Sequence, residues 1–312
     1  MNVSLMTGDS PFHNILKQIE PDAKLIRHWP LSGGISCTMT ALEIELSKGE
    51  IENFVVRLVS KWSFENYPNS VHNEHKLLLF LGENGIPVPM PRHSDSSCEI
   101  LSRPYLVLDF VEGSPDLTVV SVTDRVVAMA NQLADIHLMD ISEPVFAFMS
   151  PSPVNIRPPV GESNETLQES KIRSALGAAF PTVVENPYRF RHGDFWPGNI
   201  LWSDNQLAAV IDWEETSIGD PLFDVALTRL DTLWAYGAEA MNEFTKQYQS
   251  RMDIDYSHLP FWDLRVSLRP MSNIGLWATS FPPLGRPDVT EESMTTDHRW
   301  FVDQAIVSMS RP

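Results

Sequence analysis

Cysteine, basic residues and long apolar runs are all scarce in this chain. Its two cysteines, Cys37 and Cys98, form neither a Cys-x-x-Cys pair nor a zinc spacing, which argues against a disulfide framework and favours free thiols in a reducing compartment. The N-terminus has no basic region followed by an apolar stretch, so no secretory leader is predicted. No apolar run is long enough to span a bilayer. Together these absences predict a cytoplasmic protein without a membrane partner.

The shortage of basic residues bears on possible partners. The 312 residues include 23 Lys and Arg against 41 Asp and Glu, a formal net charge of −18. Nucleic-acid phosphates need basic side chains to neutralise them, so this balance argues against a nucleic-acid partner. The charge is compatible with a cationic small molecule, which the field of an acidic surface attracts. It is also compatible with a role in solubility alone, and charge by itself does not decide between the two.

Two common catalytic motifs are absent as well. The chain contains neither G-x-S-x-G nor G-x-x-x-x-G-K-[ST], which argues against a hydrolase nucleophile elbow and a Walker-type phosphate loop. It does contain a stretch, residues 191–224, with two polar clusters that each lie beside a short apolar run. The first cluster is His192-Gly193-Asp194 with Asn199, before the apolar run 200–202, and the second is Asp212, after the run 207–211.

The spacing of these clusters predicts a shared site. The apolar runs 200–202 and 207–211 are separated by the turn-forming residues Ser203-Asp204-Asn205, which predicts two short strands of a hairpin. Such a hairpin would bring Asp194, Asn199 and Asp212 to one end. Two carboxylates and an amide oxygen are ligands that suit Mg²⁺, an ion that shares substrate phosphates. The alternative is that these residues only cap turns beside strands.

The sequence H-G-D-F-W-P-G-N-I-L followed by I-D-W-E resembles the aminoglycoside phosphotransferase and choline kinase family of small-molecule kinases. The order Asp-x-x-x-x-Asn and a later Asp after a strand is also that of the protein-kinase catalytic centre. The resemblance implies transfer of the γ-phosphate of ATP or GTP to a hydroxyl of a small molecule such as an aminoglycoside, choline or a sugar. It implies that Asp194 accepts or orients the hydroxyl, that His192 braces the loop, and that Asn199 and Asp212 hold Mg²⁺.

The same resemblance, from about Leu31 to Leu230, implies the fold. We expect a bilobal, protein-kinase-like α+β protein with an antiparallel sheet in its small N-terminal lobe and a larger, mainly helical C-terminal lobe. Residues 1–112 would form the nucleotide-binding lobe, and residues 113–312 the catalytic and substrate-binding lobe. Turn chemistry at Gly113-Ser114-Pro115 favours that boundary.

Further positions are assigned to the nucleotide by this resemblance. Gly33 and Gly34, between two predicted strands, would lie over the phosphates, although a glycine pair alone is more often an ordinary turn. Arg57 stands where protein kinases carry the strand lysine, and its fork can contact phosphate and carboxylate together. Glu74 on the next predicted helix would be its partner, unless the two form only a surface pair. The backbone from about Asp109 to Val111 would hydrogen-bond the base.

The remaining pattern predicts elements and structural residues. Apolar spacing predicts a short helix within residues 1–23 and further helices at 70–84, 123–139 and 165–180, whereas residues 141–161 are expected to form a loop. His137, Asp220 and Asp224 are interpreted as structural, and Asp224 would occupy the first turn of a helix. The set His72, Glu74 and His75 lacks zinc-site spacing. The chain beyond Val225 is expected to be largely helical.

Two other functions remain as alternatives. One is a catalytically silent module with a kinase fold that binds a nucleotide or a partner, although intact Asp194, Asn199 and Asp212 argue against it. The other is a protein kinase, which the absence of G-x-G-x-x-G, H-R-D, D-F-G and A-P-E makes a poor match.

Overall fold

The chain forms two compact units in a computed structural model, which describes residues 10–31, 37–67, 69–119, 121–156 and 161–310. Unit 1 comprises Met1–Glu112 together with Ala208–Glu214, and unit 2 comprises Gly113–Leu207 together with Glu215–Pro312. The chain therefore passes from one unit to the other three times, at residues 112/113, 207/208 and 214/215.

Unit 1 is an antiparallel sheet with helices. The sheet has the order β1-β2-β3-β5-β4, and each neighbouring pair of strands runs antiparallel. Helices α1 and α3 and the antiparallel sheet follow the predictions, whereas α2 and β4 were not predicted. The elements are α1 (Pro11–Ile19), β1 (Lys24–Pro30), β2 (Thr38–Glu45), β3 (Ile51–Leu58), α2 (Lys61–Asn66), α3 (Ser70–Glu83), β4 (Pro91–Asp95) and β5 (Tyr105–Asp109).

The core of unit 1 lies between α1 and one face of this sheet. Helix α1 begins with Ser10 as its cap and Pro11 in its first turn, a position where the missing N–H of proline costs nothing. Its apolar spacing then buries Ile15 and Leu16 against alternate residues of three strands, among them Phe54 and Tyr105. Burial of a side chain of this size stabilises a fold by roughly 1.5–3 kcal/mol.

Unit 2 is mainly helical. Strands β6 and β9 pair antiparallel, and β7 and β8 form the two-stranded sheet that the sequence predicts as a hairpin. Strand β8 begins in unit 2 and ends in unit 1. The elements are α4 (Val122–His137), α5 (Glu169–Ala179), β6 (Arg189–Arg191), β7 (Ile200–Ser203), β8 (Gln206–Val210), β9 (Ser217–Gly219), α6 (Leu222–Tyr236), α7 (Ala238–Arg251), α8 (Leu259–Val266), α9 (Ile274–Ala278) and α10 (Glu291–Met309).

The predicted helix at 165–180 is wrong in its first turn. Residues Glu165–Leu167 form a 3₁₀ turn, and Gln168 has a left-handed backbone with φ 58° before α5 starts at Glu169. The break follows from a local exchange of side-chain bonds. The Asn164 side chain accepts from the Leu167 N–H at 3.2 Å, and buried Glu169 accepts from the Asn164 N–H at 2.8 Å. Such side-chain bonds compete with helical ones.

The described chain between α4 and α5 is mostly irregular. The loop predicted at 141–161 is irregular over its described residues, 141–156 and 161, apart from a 3₁₀ turn at Pro144–Phe146 and a single bridge from Pro151 to Ile218. Within the parts of the chain that the structure describes, no helix has the length and apolarity needed to cross a bilayer. The described cysteines Cys37 and Cys98 are not joined by a disulfide.

Candidate active site

The segment that carries Asp194 is a tight loop after β6. Gly193 has φ 85°, and a Cβ added there would lie 2.2 Å from the Glu215 carbonyl oxygen, so the loop requires glycine at this position. The N–H groups of His192 and Gly193 donate to the Asp224 carboxylate at 2.7 Å and 3.1 Å. A carboxylate in the first turn of α6 therefore fixes the backbone just before Asp194.

Asp194 and Asn199 lie together, as the sequence predicts. The Asn199 Nδ2 group donates both to the Asp194 carbonyl oxygen at 2.9 Å and to Asp194 Oδ2 at 3.1 Å. Asn199 ends the 3₁₀ turn Pro197–Asn199 and is buried. Because its amide nitrogen is committed to Asp194, its Oδ1 is the atom of this side chain that can ligate a cation.

His192 supports this loop from inside the fold. Its side chain is fully buried, and its Nδ1 accepts a hydrogen bond from the Asp194 N–H at 3.2 Å. A ring in this position cannot reach a ligand in solvent. Its geometry agrees with the predicted bracing of the loop, and its effect on chemistry would be exerted through Asp194.

The residues interpreted as structural form a buried polar network around α6. Asp224 lies 3.3 Å from His137 Nε2, and His137 Nδ1 lies 2.6 Å from the Tyr248 hydroxyl. Burial opposes the charge of Asp224, but the bond to His137 and nearby positive groups outweigh it and lower the pKa of this carboxyl. Asp220 accepts from the Leu222 N–H at 2.8 Å and from the Asn186 N–H at 2.9 Å, so it joins the start of α6 to the chain before β6.

Arg269 is the residue beside Asp194 that the sequence did not reveal. Its Nη2 donates to Asp194 Oδ1 at 2.9 Å, and the two side chains keep 29% and 27% of their exposure, enough to meet a ligand. The guanidinium also lies 5.7 Å from the centre of the Trp277 ring. Arg269 follows Asp194 by 75 residues and belongs to no motif, so no spacing in the sequence could connect them.

Asp231 on α6 belongs to the same group of charges. Burial raises its pKa to about 7, the charge of Arg269 lowers it, and that of Asp194 raises it. Burial disfavours the charge of Arg269 as well, but Asp194 and Asp231 outweigh this and raise the pKa of the guanidinium. Unit 2 thus presents one arginine between two carboxyl groups, one of which can hold a proton near neutral pH.

In unit 1, Arg57 on β3 lies at the centre of a second charged group. It is 7% exposed, it forms the predicted ion pair with Glu74 on α3, and its Nη1 lies 2.5 Å from Glu214 Oε1. Burial alone would lower the pKa of Arg57, but Glu74 and Glu214 outweigh it and raise the pKa. Burial and the charge of Glu214 raise the pKa of Glu74, because two carboxylates share one guanidinium.

Asp212 and Cys37 complete this group. Asp212 has a left-handed backbone with φ 66°, which aspartate tolerates better than most residues, and its charge acts on Arg57. The Cys37 thiol donates to Glu214 Oε1 at 2.7 Å. Glu214 was not predicted as a partner of Arg57, although its position two residues after Asp212 in I-D-W-E places it beside a predicted site residue.

The predicted nucleotide-base segment follows β5. The Asp109 N–H donates to the Met90 carbonyl at 2.8 Å, and the Phe110 N–H donates to the Asn53 carbonyl at 3.1 Å, so both N–H groups serve the sheet. The Asp109 carboxylate binds Arg92 at 2.6 Å and 2.9 Å. The groups of this segment left for a base are therefore carbonyl oxygens and the N–H of Val111. Gly33 and Gly34 lie outside the described residues.

Among the described residues, no three or more His, Cys, Asp and Glu side chains form a group that could hold a metal ion. Glu74, a member of the histidine-flanked set 72–75, is instead engaged by Arg57. The predicted Mg²⁺ ligands Asn199 and Asp212 are an amide and a single carboxylate, a donor set of a different composition.

Comparison with known sequences gives two findings. The sequence profile of the phosphotransferase enzyme family, APH, matches residues 40–262. Acyl-CoA dehydrogenase family member 11 of Pongo abelii is 23% identical over 273 residues, an alignment that covers 76% of this chain and 34% of that protein. The chain thus spans about a third of the length of this relative.

Solved structures share the fold. Macrolide 2′-phosphotransferase MphH of Brachybacterium faecium aligns with TM-score 0.58 at 16% identity and covers 96% of this chain and 98% of its own. Choline kinase LicA of Streptococcus pneumoniae aligns with TM-score 0.58 at 16% identity, over 96% and 100%. A structure of LicA with AMP aligns with TM-score 0.59 at 15% identity, over 95% and 96%. These likenesses confirm the predicted kinase-like α+β fold.

Proposed function

The chain belongs to the phosphotransferase enzyme family, and from that premise we propose that it is a small-molecule kinase. It transfers the γ-phosphate of ATP or GTP to a hydroxyl group of a small molecule. The observation that carries this proposal is the Asp194 carboxylate, which is partly exposed and is held by Asn199 on one oxygen and by Arg269 on the other.

Unit 1 is proposed to bind the nucleotide. Arg57 is buried, permanently charged and fixed by Glu74, so its fork can bind phosphate without ordering a flexible side chain. Its Nη1 is occupied by Glu214, which phosphate would replace or share. Gly33 and Gly34 are proposed to approach the phosphates by their backbone. The carbonyl of Asp109 and the N–H of Val111 are proposed to bind the base.

The donor chemistry of the chain fits Mg²⁺. Asn199 of unit 2 offers the oxygen of an amide whose nitrogen is already engaged, and Asp212 of unit 1 offers a carboxylate. Hard oxygen ligands of this kind, completed by phosphates and waters, are what Mg²⁺ takes in nucleotide sites. When bound, the ion would neutralise charge on the phosphates.

Asp194 is proposed to act on the acceptor. Its carboxylate accepts the hydrogen bond of the attacking hydroxyl and takes its proton as the hydroxyl oxygen bonds to the γ-phosphorus. The bond from that phosphorus to the β-phosphate oxygen breaks, and the nucleoside diphosphate leaves. The bonds from Asn199 and Arg269 restrict the carboxylate to one orientation, and His192 holds the backbone beneath it. Positioning of this kind supplies most of what phosphoryl transfer needs from a protein.

The acceptor is proposed to be a small polar molecule with a reactive hydroxyl, of the kind that aminoglycosides, macrolides, choline or sugars represent. The net charge of −18 favours a cationic acceptor, as does the excess of carboxyl groups around Arg269. We propose unit 2 as the part of the chain that selects the acceptor.

Phosphate transfer from ATP and from GTP, measured with Mg²⁺ across such acceptors, tests the proposal. Asp194→Asn should lower kcat by about 10²–10⁴-fold, the usual contribution of a positioned base, while the nucleotide dissociation constant stays nearly unchanged. The exposed Asp253→Asn is the matched control and should keep wild-type rates. Nucleotide binding without transfer to any acceptor would instead favour the silent module, and no nucleotide binding would refute the proposal.

A further inference from the structure

Arg125, near the start of α4, is a buried cation that no described acid neutralises. It is 7% exposed, and its Nη1 has no hydrogen-bond partner. Within the described residues it forms no ion pair, in contrast to buried Arg57, which binds Glu74, and partly buried Arg229, which binds Asp263. A charged group taken out of water without a partner is strongly unfavourable.

The helix that carries Arg125 increases this cost. Helix α4 runs from Val122 to His137, with the Ser121 side chain as its cap. The start of a helix is the positive end of its dipole, where anions are favoured and cations are not. Arg125 thus adds a positive charge to a region that is already positive.

Asp116, whose charge acts on Arg125, forms hydrogen bonds within its own loop. Asp116 acts on Arg125 only at a distance, since its Oδ1 accepts from the Thr118 N–H at 2.7 Å and from the Thr118 hydroxyl at 2.6 Å. The guanidinium instead lies over the ring of Trp202, with its carbon 4.0 Å from the ring centre. Stacking on an aromatic face leaves the edge of the guanidinium, with its N–H donors, available to a ligand in its plane.

Two more groups of unit 2 face the same region. The Leu117 N–H donates to the Leu284 carbonyl at 2.9 Å, which brings the chain around Arg286 beside the Asp116 loop. Burial raises the pKa of Tyr236, at the end of α6, to about 12, against the charges of Arg125 and Arg286. The Tyr236 hydroxyl is therefore neutral at physiological pH, and the charges of both arginines act on it. Arg286 is held in place by Asp288 at 2.8 Å and 2.6 Å.

We propose that Arg125 anchors an anion-binding site, completed by Tyr236 and Arg286, that takes a phosphate or carboxylate group. The planar fork of Arg125 suits the paired oxygens of such a group, and Trp202 fixes the plane of the fork. The bound anion supplies the partner that Arg125 lacks. Anion binding at this site can be measured without phosphotransfer, whereas the assignment of the anion to the nucleotide or to the acceptor rests on the proposed function.

Thermal unfolding of the full chain in millimolar inorganic phosphate, compared with chloride at equal ionic strength and pH, tests the site. The wild type should show a saturable rise in Tm with phosphate, because a ligand that binds only the folded state stabilises it. Arg125→Met should lose that rise. Arg251→Met, which removes an exposed arginine of unit 2, is the matched control and should keep it.

The same series separates a ligand site from a structural cation. In chloride alone, Arg125→Met should have a Tm equal to or above that of the wild type, since it removes an uncompensated buried charge. A lower Tm in chloride with an intact phosphate response would overturn the proposal and make Arg125 a structural partner of Trp202. A phosphate response lost in Arg57→Met but kept in Arg125→Met would also overturn it.

ADP titration identifies the source of the anion. If the nucleotide supplies it, Arg125→Met should weaken ADP binding by tenfold or more. If the acceptor supplies it, ADP binding should be unchanged while the response to inorganic phosphate is lost. Either result supports the site, and neither requires phosphotransferase activity.

Discussion

At the scale of single residues, the arginine beside Asp194 is the least expected feature of the candidate site. Arg269 occupies one oxygen of the carboxylate that is proposed to receive the acceptor proton. An arginine there can fix the orientation of Asp194, or it can bind the acceptor itself. These roles differ in which kinetic constant they control, because positioning affects the chemical step and binding affects saturation.

We expect Arg269 to act by positioning. Arg269→Met should lower kcat by about 10²-fold, the loss that a misplacement near 1 Å causes, with little change in the acceptor KM. Guanidinium ion added to Arg269→Ala should restore part of the rate, which a purely structural defect would not allow. Steady-state kinetics of Arg269→Met beside Arg251→Met measure this. A raised acceptor KM at unchanged kcat would assign Arg269 to acceptor binding instead.

The raised pKa of Asp231 predicts that the stability of the fold decreases as pH rises. Burial raises its folded-state pKa to about 7 from an ordinary value of 3.8. A carboxyl that binds its proton more tightly in the folded state stabilises the fold at low pH, and this stabilisation is lost as pH rises from about 4 to about 7. Above pH 7 the buried charge persists as a constant cost.

Asp231→Asn should remove this dependence, because the amide mimics the protonated carboxyl. The free energy of unfolding of the variant, minus that of the wild type, should grow from pH 5 to pH 8 by up to about 3 kcal/mol, at about 1.4 kcal/mol per pKa unit. Urea unfolding of both proteins at the two pH values measures the difference. An equal free-energy difference at the two pH values would show that the pKa of Asp231 is not raised in the folded state.

At the scale of elements, the sequence predicts best where an apolar period is long and undisturbed. Helices α3 and α4 were predicted within two residues of their ends, since each has several apolar residues on one face. Short α2 has no buried residue, and β4 carries Arg92 and Ser94, so neither has a period to detect. The break at Gln168 depends on side-chain bonds that spacing does not encode.

The polar residues of the candidate site show the same limit of prediction from sequence. Asp194 and Asn199 are close in sequence and were predicted together, and the pairing of Arg57 with Glu74 was implied by the family resemblance. Arg269 and Arg125 were not found, because each meets its neighbours through folding of distant segments. Local sequence therefore predicts the residues of a loop or a strand–helix pair, but not the side chains that other elements bring to them.

Helix α6 contributes residues to the Asp194 loop, to the charges around Arg269 and to the proposed anion site. Its first turn provides Asp224, which holds the loop before Asp194, and its middle provides Asp231 beside Arg269. Its last residue, Tyr236, belongs to the proposed anion site. One helix thus carries two carboxyl groups and a phenol at three positions along its length. Successive residues of an α-helix rise by about 1.5 Å along its axis. A shift of α6 would alter all three environments at once.

At the scale of the whole molecule, the excess of acid predicts how the protein responds to salt. A formal net charge of −18 makes the compact state repel itself, and salt screens that repulsion over roughly 10 Å at 0.1 M. The exposed ion pairs oppose this trend, because salt also weakens them, but each contributes only about 0–1 kcal/mol. The buried pair of Arg57 and the partly buried pair of Arg229 are better shielded from the solvent ions.

We therefore expect Tm to rise as sodium chloride increases from low to physiological ionic strength, and then to level off. Neutralising the exposed acids Glu162 and Asp253 as Gln and Asn should raise Tm at low salt and flatten the slope, since less repulsion remains to be screened. Differential scanning fluorimetry at fixed pH measures both effects. A Tm that falls with chloride would mean that ion pairs outweigh net repulsion. The chloride curve also supplies the baseline above which a specific response to phosphate at Arg125 must rise, so general screening and specific binding are separated in one experiment.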